Sequence, residues 1–186
     1  MERYMVHLHN ERYDRHDATS ILQQARSLTN NDITVRDVRV SKMHIEMDIT
    51  IPDGALNDTI MAVRPIGDML DAHRIINEQV IKEEAIQDGI AYFNAERFWE
   101  SHEAFEAAWK ECFDGEKDLV QGIILAAAGF VHYQKSQDVI CLSIFNRALQ
   151  KLSPCTGVYH SMDVERLKAK LYDMVQSKSI STFELV

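Results

Sequence analysis

Apolar and polar residues alternate along residues 43–51. Methionine or isoleucine holds every odd position, and the even positions carry His44, Glu46, Asp48 and Thr50. A repeat of two residues is typical of a β-strand with one apolar and one polar face, so we predict a strand that is buried on one side. Shorter runs of apolar and β-branched residues predict three further strands, at residues 4–8, 33–40 and 69–76.

Helical periodicity separates these strands. Asp17 is a suitable N-cap for a helix whose apolar residues recur from Ile21 to Leu28. Residues 56–64 predict a second helix, which Pro65 closes. The resulting order of strand, helix, strand, strand, helix, strand is that of ferredoxin-like domains. We therefore expect an N-terminal ferredoxin-like βαββαβ sandwich, a fold that serves many functions and indicates none by itself.

From residue 77 onward the pattern is helical. Five helices are predicted, at residues 78–93, 94–113, 117–133, 138–152 and 163–176. Asp163 is the expected N-cap of the last one. The fold class is therefore α+β, with a ferredoxin-like domain at residues 1–76, an all-α helical bundle domain at 77–176 and a tail at 177–186. The tail is short and extended, and we expect it either to fray or to add a strand to the N-terminal sheet.

A polar motif lies on the second of these predicted helices. Five residues recur there at intervals of three or four, namely Phe98, His102, Phe105, Trp109 and Cys112. This spacing predicts an apolar stripe, so we expect His102 to face the interior. Glu106 is four residues further on and shares that face, whereas Glu103 lies at its edge.

The following helix carries a matching pair of polar residues. Gln121 and His132 are eleven residues apart, which is about three helical turns, so they share a face. Burying a carboxylate, two imidazoles and an amide is costly unless these groups satisfy one another. We therefore predict that His102, Glu106, Gln121 and His132 meet in a buried polar junction. Asn94 is expected to cap the helix that follows it.

These motifs resemble those of the domain of unknown function 309 family. The family pattern has F-N-x-G, then A-H-E-x-x-E-x-x-W, then Q-G with a His eleven residues beyond the Gln. This chain matches the first part at Phe93-Asn94, the second at His102-Glu103 with Glu106 and Trp109, and the third at Gln121-Gly122 with His132. Pro154, Tyr159 and Asp163 follow its closing pattern more loosely, so the resemblance spans roughly residues 86–172. It implies an all-helical bundle and no established activity. The chain departs from the pattern at Glu96, where the family has glycine, and at Ser101, where it has alanine.

Three interpretations of the polar junction remain open. In the leading one it is a structural network inside a non-enzymatic binding or scaffold module. In the second, His102, Glu106 and His132 bind a divalent metal ion and Glu103 acts as the base of a metal-dependent hydrolase-type enzyme. In the third, Trp99, Trp109 and Tyr133 join the polar groups to line the pocket of a small-ligand sensor.

Composition and charge limit the cellular compartments and the classes of partner that we expect for this protein. A formal net charge of −9 without a basic cluster argues against nucleic-acid binding. The three cysteines form no C-x-x-C pair, which argues against a thiolate zinc site and fits a reducing, cytoplasmic location. No signal-peptide core follows Met1, and the longest apolar stretch, residues 122–131, is too short to cross a membrane.

Two further expectations concern assembly and the remaining histidines. Small ferredoxin-like domains often expose a sheet edge or face, so we expect a homodimer, with a small molecule or another protein also possible as a partner. Five histidines in the first domain share no common spacing and are expected at the surface, namely His7, His9, His16, His44 and His73.

Overall fold

The computed structural model describes residues 1–76 and 81–186 and divides the chain into two compact units. Unit 1 comprises Met1–Glu78 together with Gln134–Ser136, and unit 2 comprises Gln79–Tyr133 and Gln137–Val186. The predicted starts of the helical domain at residue 77 and of its first helix at residue 78 lie outside the described residues. Within the described ranges, no helix combines the length and the apolar character needed to cross a membrane.

Unit 1 is a four-stranded antiparallel sheet with two helices. Its elements, in chain order, are β1 (Glu2–His9), α1 (Ala18–Leu28), β2 (Thr34–Val40), β3 (His44–Ile51), α2 (Leu56–Val63) and β4 (Met69–Arg74). The strand order is β2-β3-β1-β4. One face of the sheet forms an apolar core with α1 and α2, to which Leu8, Ile21, Ile45, Met47 and Val63 contribute. The mixed α+β class predicted from the pattern is therefore confirmed.

The strand predicted from strict alternation differs from expectation on its polar side. Ile45, Met47, Ile49 and Ile51 face the core as predicted. However, Glu46 is 1% exposed and His44 is 7% exposed, so the polar face of β3 is also buried. The prediction of a strand buried on one side is wrong, because alternation separates two faces without showing which of them meets solvent.

The start of α1 shows a second difference. Asp17 occupies the N-cap position, but its side chain makes no hydrogen bond to the helix it precedes. Instead it accepts from the Asp14 backbone N–H at 2.9 Å, while the Asp14 side chain accepts from His16 N at 2.6 Å. The pair forms a capping box around the 3-10 turn Arg15–Asp17.

Unit 2 is predominantly helical. It contains α3 (Lys82–Asn94), α4 (Phe98–Trp109), α5 (Asp114–Tyr133), α6 (Asp138–Leu152) and α7 (Val164–Ser177), and a short hairpin of β5 (Val158–Tyr159) and β6 (Met162–Asp163) lies before α7. Asp163 caps α7 as predicted, since its side chain accepts from Arg166 N at 3.0 Å. Five phenylalanines are fully buried at the centre, namely Phe93, Phe98, Phe105, Phe130 and Phe145.

Small residues of α5 set its close approach to α6. A Cβ added at Gly129 would lie 2.4 Å from the Phe145 ring, and one added at Gly122 would lie 2.5 Å from the Leu152 side chain. Only glycine leaves room for these side chains at such separations.

Candidate functional site

The predicted apolar stripe is confirmed at Phe98, Phe105 and Cys112, but at its other two positions the buried face of α4 is shifted by one residue, from His102 and Trp109 to Ser101 and Ala108. Phe98, Ser101, Phe105 and Ala108 are buried, so the helix turns Ser101 and Ala108 inward. Ser101 Oγ donates to the carbonyl of Gly89 at 2.8 Å, and the Phe105 ring would lie only 2.8 Å from a Cβ added at Gly89. Small residues at these positions let α4 pack closely on α3.

The shift moves the H-E-x-x-E motif toward solvent. The His102 side chain is 28% exposed and that of Glu106 is 49% exposed, so the prediction that both are buried is wrong. His102 Nδ1 lies 3.4 Å from the Ile124 carbonyl, and His102 Nε2 lies 3.7 Å from Glu106 Oε2. Ligand atoms of His102, Glu103 and Glu106 lie within 4.8 Å of one another. These three side chains form an open cluster on the surface of unit 2.

Gln121 and His132 do not join this cluster. His132 Nδ1 pairs with Gln137 Oε1 at 2.5 Å. Ile124 and His132 are eight residues apart on α5, about 12 Å along the helix axis, so His132 cannot share an ion with His102. Gln121 instead lines a shallow cleft with Asp118 and other polar residues. The four residues of the predicted polar junction therefore do not meet, because His132 contacts Gln137 and Gln121 lies in the cleft beside Asp118.

The aromatic residues expected in a ligand pocket are also engaged separately. Trp109 Nε1 donates to the Lys117 carbonyl at 3.1 Å, and Lys117 Nζ lies 4.3 Å from the centre of the Trp109 ring. Tyr133 meets Phe130 edge-on, with ring centres 6.3 Å apart. These contacts give Trp109 and Tyr133 structural partners within unit 2.

Asn94 has a role different from the predicted helix cap. The N-cap of α4 is Arg97, which makes no side-chain cap hydrogen bond. The Asn94 side chain instead holds the backbone of Leu185, because Asn94 Oδ1 accepts from Leu185 N at 2.7 Å and Asn94 Nδ2 donates to Leu185 O at 3.4 Å. The prediction that Asn94 caps the following helix is wrong.

Comparison with known proteins matches the region that contains these motifs. The family model described as Domain of unknown function (DUF309) matches residues 86–143. No curated protein matches the chain. The match includes Asn94, the H-E-x-x-E cluster, Gln121 and His132, and it ends before the closing pattern expected near Pro154.

The segment held by Asn94 lies outside the region matched by DUF309. Residues 179–186 run along unit 2 without regular secondary structure. Phe183 packs against Phe93 and Phe130 with ring centres 5.6 and 5.7 Å apart, and Leu185 is 3% exposed. We expected the tail either to fray or to add a strand to the sheet of unit 1, and both expectations are wrong because the tail packs on unit 2. We refer to residues 179–186 as the tail segment.

Glu96 provides a further contact to the tail segment. Its φ of 58° is in the left-handed region, which explains why glycine suits this position in the family pattern. The Glu96 side chain accepts from Thr182 Oγ1 at 2.7 Å. The departure from glycine thus coincides with a contact that glycine cannot make.

A second polar cluster, in unit 1, was missed by the sequence interpretation. His7, which is 3% exposed, and His44 are buried, so the expectation that they lie at the surface is wrong. His7 Nε2 lies 3.3 Å from Glu46 Oε2, and Arg39 Nε donates to Glu46 Oε1. Burial raises the pKa of Glu46, but the charge of Arg39 and the hydrogen bond with His7 lower it by a larger amount, so the pKa is about 2.

Cross-strand register brings this second cluster together. Glu46 lies opposite His7 on β1 and opposite Arg39 on β2. The ionisable residues at the even positions of residues 43–51 were a sequence signal for this cluster. Their partners His7 and Arg39, however, lie on other strands, so the signal did not identify them. Of the other histidines expected at the surface, His9 and His16 are exposed and His73 is partly exposed.

Proposed function

We propose that the protein is a non-enzymatic binding module whose helical unit binds an extended peptide segment, and that the tail segment occupies this binding surface as an internal ligand. We call the surface formed by Phe93, Asn94, Glu96 and Phe130, which contact the tail segment, the groove. One observation carries the proposal: the Asn94 amide engages both the N–H and the carbonyl of Leu185. This is the pair of bonds that a neighbouring β-strand would provide, so the contact recognises an extended backbone.

Side chains on either side of the contact supply selectivity. Phe183 and Leu185 point toward unit 2 while Glu184 between them is exposed. This alternation is expected of an extended chain, in which every second side chain faces the same way. The groove therefore suits a peptide with an aromatic residue two positions before an aliphatic one.

Lys178 is the point at which the tail segment departs from α7. Its φ of 56° marks a left-handed C-cap that ends the helix. A segment tethered this closely competes at an effective concentration in the millimolar range. A partner must therefore bind more tightly than the tail segment alone, which would make the groove self-inhibited.

Cleavage in the full chain tests the proposal. A specific protease site is inserted between Lys178 and Ser179, the chain is cut, and a fluorescent peptide of residues 179–186 is added. We expect anisotropy to rise as the labelled peptide exchanges into the groove, and an Asn94→Leu variant to bind at least about 10-fold more weakly, since two hydrogen bonds are lost. A peptide with alanine at positions 183 and 185 is the control. If the cut protein stays folded and does not bind the wild-type peptide, or binds the alanine peptide equally well, the proposal is wrong.

A second candidate, metal binding at the H-E-x-x-E cluster, is supported by the orientation of His102. Metal-bound histidines generally donate their second ring nitrogen to a carbonyl or carboxylate, and Ile124 O is placed to receive it. The hydrolase hypothesis would then rest on His102, Glu103 and Glu106, without His132. Elemental analysis of tag-free protein tests it, since metal should be lost in His102→Ala and kept in His132→Ala.

For unit 1 we infer a ferredoxin-like fold. The element order and the β2-β3-β1-β4 sheet support this assignment. Homodimerisation remains part of the proposal, and the edge strand β4 supports it because Met69 and Leu70 are 46% and 56% exposed. The odd number and wide spacing of the cysteines, Cys112, Cys141 and Cys155, support a reducing, cytoplasmic location.

A further inference from the structure

A row of ionisable side chains crosses the sheet of unit 1. Arg39, Glu46, His7 and Asp71 occupy paired positions on β2, β3, β1 and β4. His44 lies two residues before Glu46 on the same face, and its ring meets that of His7 edge-on with centres 5.2 Å apart. Two imidazoles and a carboxylate therefore converge on one buried point of the sheet.

We propose that His7, His44 and Glu46 form a binding site for a first-row divalent metal ion, with zinc as the ion that suits these donors. One ligand atom from each residue lies within 4.8 Å of the other two. The 3.3 Å between His7 Nε2 and Glu46 Oε2 matches the edge of a tetrahedron, which is about 3.3 Å when the metal–ligand bonds are about 2.0–2.1 Å long. A nitrogen-rich set of two histidines and one carboxylate favours zinc over magnesium or calcium.

Neighbouring groups hold two of the donors in orientation. His44 Nδ1 lies 3.0 Å from Ser41 Oγ, which makes Nε2 the ligating nitrogen of that ring. Arg39 binds Glu46 Oε1 and so directs Oε2 toward His7. Outer contacts of this kind fix ring rotation and carboxylate direction at metal sites.

The charge of the cluster is compatible with a dication, although Arg39 weakens the attraction. Glu46 balances Arg39, and Asp71 lies opposite His7 on the neighbouring strand. His7, Asp71 and His73 form an adjacent group of possible donors. We assign the ion to His7, His44 and Glu46 because all three are buried, whereas the Asp71 side chain is 52% exposed.

Cobalt titration of the full, tag-free chain tests the assignment. Co²⁺ in a tetrahedral site gives visible absorption, and zinc should displace it at one equivalent. We expect His7→Asn and His44→Asn each to weaken binding by more than about 100-fold, and Ser41→Ala to weaken it by about 10–100-fold as an outer contact. His9→Asn is the matched control, since His9 lies on the same strand and its side chain is 44% exposed.

A second readout avoids variants that fail to fold. In the wild-type protein, zinc should shift the ring nitrogen NMR signals of His7 and His44 and leave that of His9 unchanged. The proposal is overturned if these signals do not move, or if folded His7→Asn and His44→Asn variants keep wild-type affinity and stoichiometry. Metal bound only at His102, and lost in His102→Ala, would overturn it equally.

Discussion

Glu116 connects three parts of unit 2 and provides the sharpest test of its energetics. It accepts from Lys82 Nζ, on α3, at 2.7 Å and from Tyr159 Oη, on β5, at 2.9 Å. The Glu116 side chain is 29% exposed. Glu116→Gln keeps an oxygen for Tyr159 but turns an amide NH2 toward Lys82, so the variant removes both the negative charge and the hydrogen-bond acceptor that Lys82 contacts.

The expected cost follows from the environment of the contact. A hydrogen bond to a charged group contributes about 1.5–3 kcal/mol, and an exposed ion pair contributes about 0.2–1 kcal/mol. Because Glu116 is only partly buried, we expect Glu116→Gln to lower the free energy of unfolding of unit 2 by about 1–2 kcal/mol at pH 7. The matched control on the same helix is Asp118→Asn, which breaks the more exposed pair with Lys151 and should cost less than about 0.5 kcal/mol.

The pH dependence of this difference has a defined sign. Partial burial raises the pKa of Glu116, but hydrogen bonds from Lys82 and Tyr159 lower it by more, so it lies below the usual 4.5. A carboxyl group with a lowered folded pKa stabilises the fold above its unfolded pKa, and this contribution disappears as pH falls through the folded pKa. The difference between wild type and Glu116→Gln should therefore be constant above about pH 5 and shrink below about pH 4.5.

Urea denaturation followed by tryptophan fluorescence measures the effect in unit 2 alone, because both tryptophans, Trp99 and Trp109, belong to that unit. Urea is uncharged and does not screen ion pairs, whereas guanidinium chloride is a salt and does screen them. The reasoning is refuted if Glu116→Gln costs no more than Asp118→Asn at pH 7, or if its cost is undiminished at pH 3.

Three further predictions follow from backbone geometry and surface composition. Gly129→Ala should destabilise unit 2 by about 1–3 kcal/mol in urea titrations through overpacking, whereas Gly115→Ala, where an added Cβ meets no atom within 4 Å, should be neutral or stabilising by up to about 1 kcal/mol. Glu96→Gly should relieve left-handed strain yet release Thr182, so hydrogen exchange in the tail segment should accelerate while global stability changes by less than about 1 kcal/mol. Leu70→Lys should convert a dimer to a monomer in light scattering, and an unchanged dimer mass would exclude β4 as the interface.

The strands of unit 1 were predictable because their signal is local. Alternation at residues 43–51 depends on neighbouring residues alone and correctly placed the apolar side of β3. The buried polar side depends on Arg39 and His7, which reach Glu46 only through cross-strand register. Register is a non-local property, so the pairing could not be obtained from the pattern of one strand.

The α4 motif shows why a helix can be predicted correctly while its buried face is predicted incorrectly. The spacings through His102 and Trp109 and through Ser101 and Ala108 both fit a helical repeat. Hydrophobicity favours the former, because tryptophan is more apolar than serine or alanine. Packing selects the latter, because Gly89 leaves space that Phe105 and the small Ser101 fill. Close packing between α3 and α4 therefore decided the orientation of His102, and no composition scale contains that information.

Asn94 allows the two interpretations of one motif residue to be separated by chemistry. Asparagine and aspartate are about equally good N-caps, so Asn94→Asp would be harmless if the residue capped α4. In the contact with Leu185, aspartate can still accept from the backbone N–H, but it cannot donate to the carbonyl and places a charge against it. We therefore expect Asn94→Asp to speed proteolysis and hydrogen exchange in the tail segment nearly as much as Asn94→Leu does, with α4 itself unaffected. Asn146→Asp is a suitable control, since Asn146 Nδ2 donates to the carbonyl of Leu142 on the exposed side of α6. Faster exchange at the start of α4, with an unchanged tail segment, would restore the capping role and remove the main support for a peptide groove.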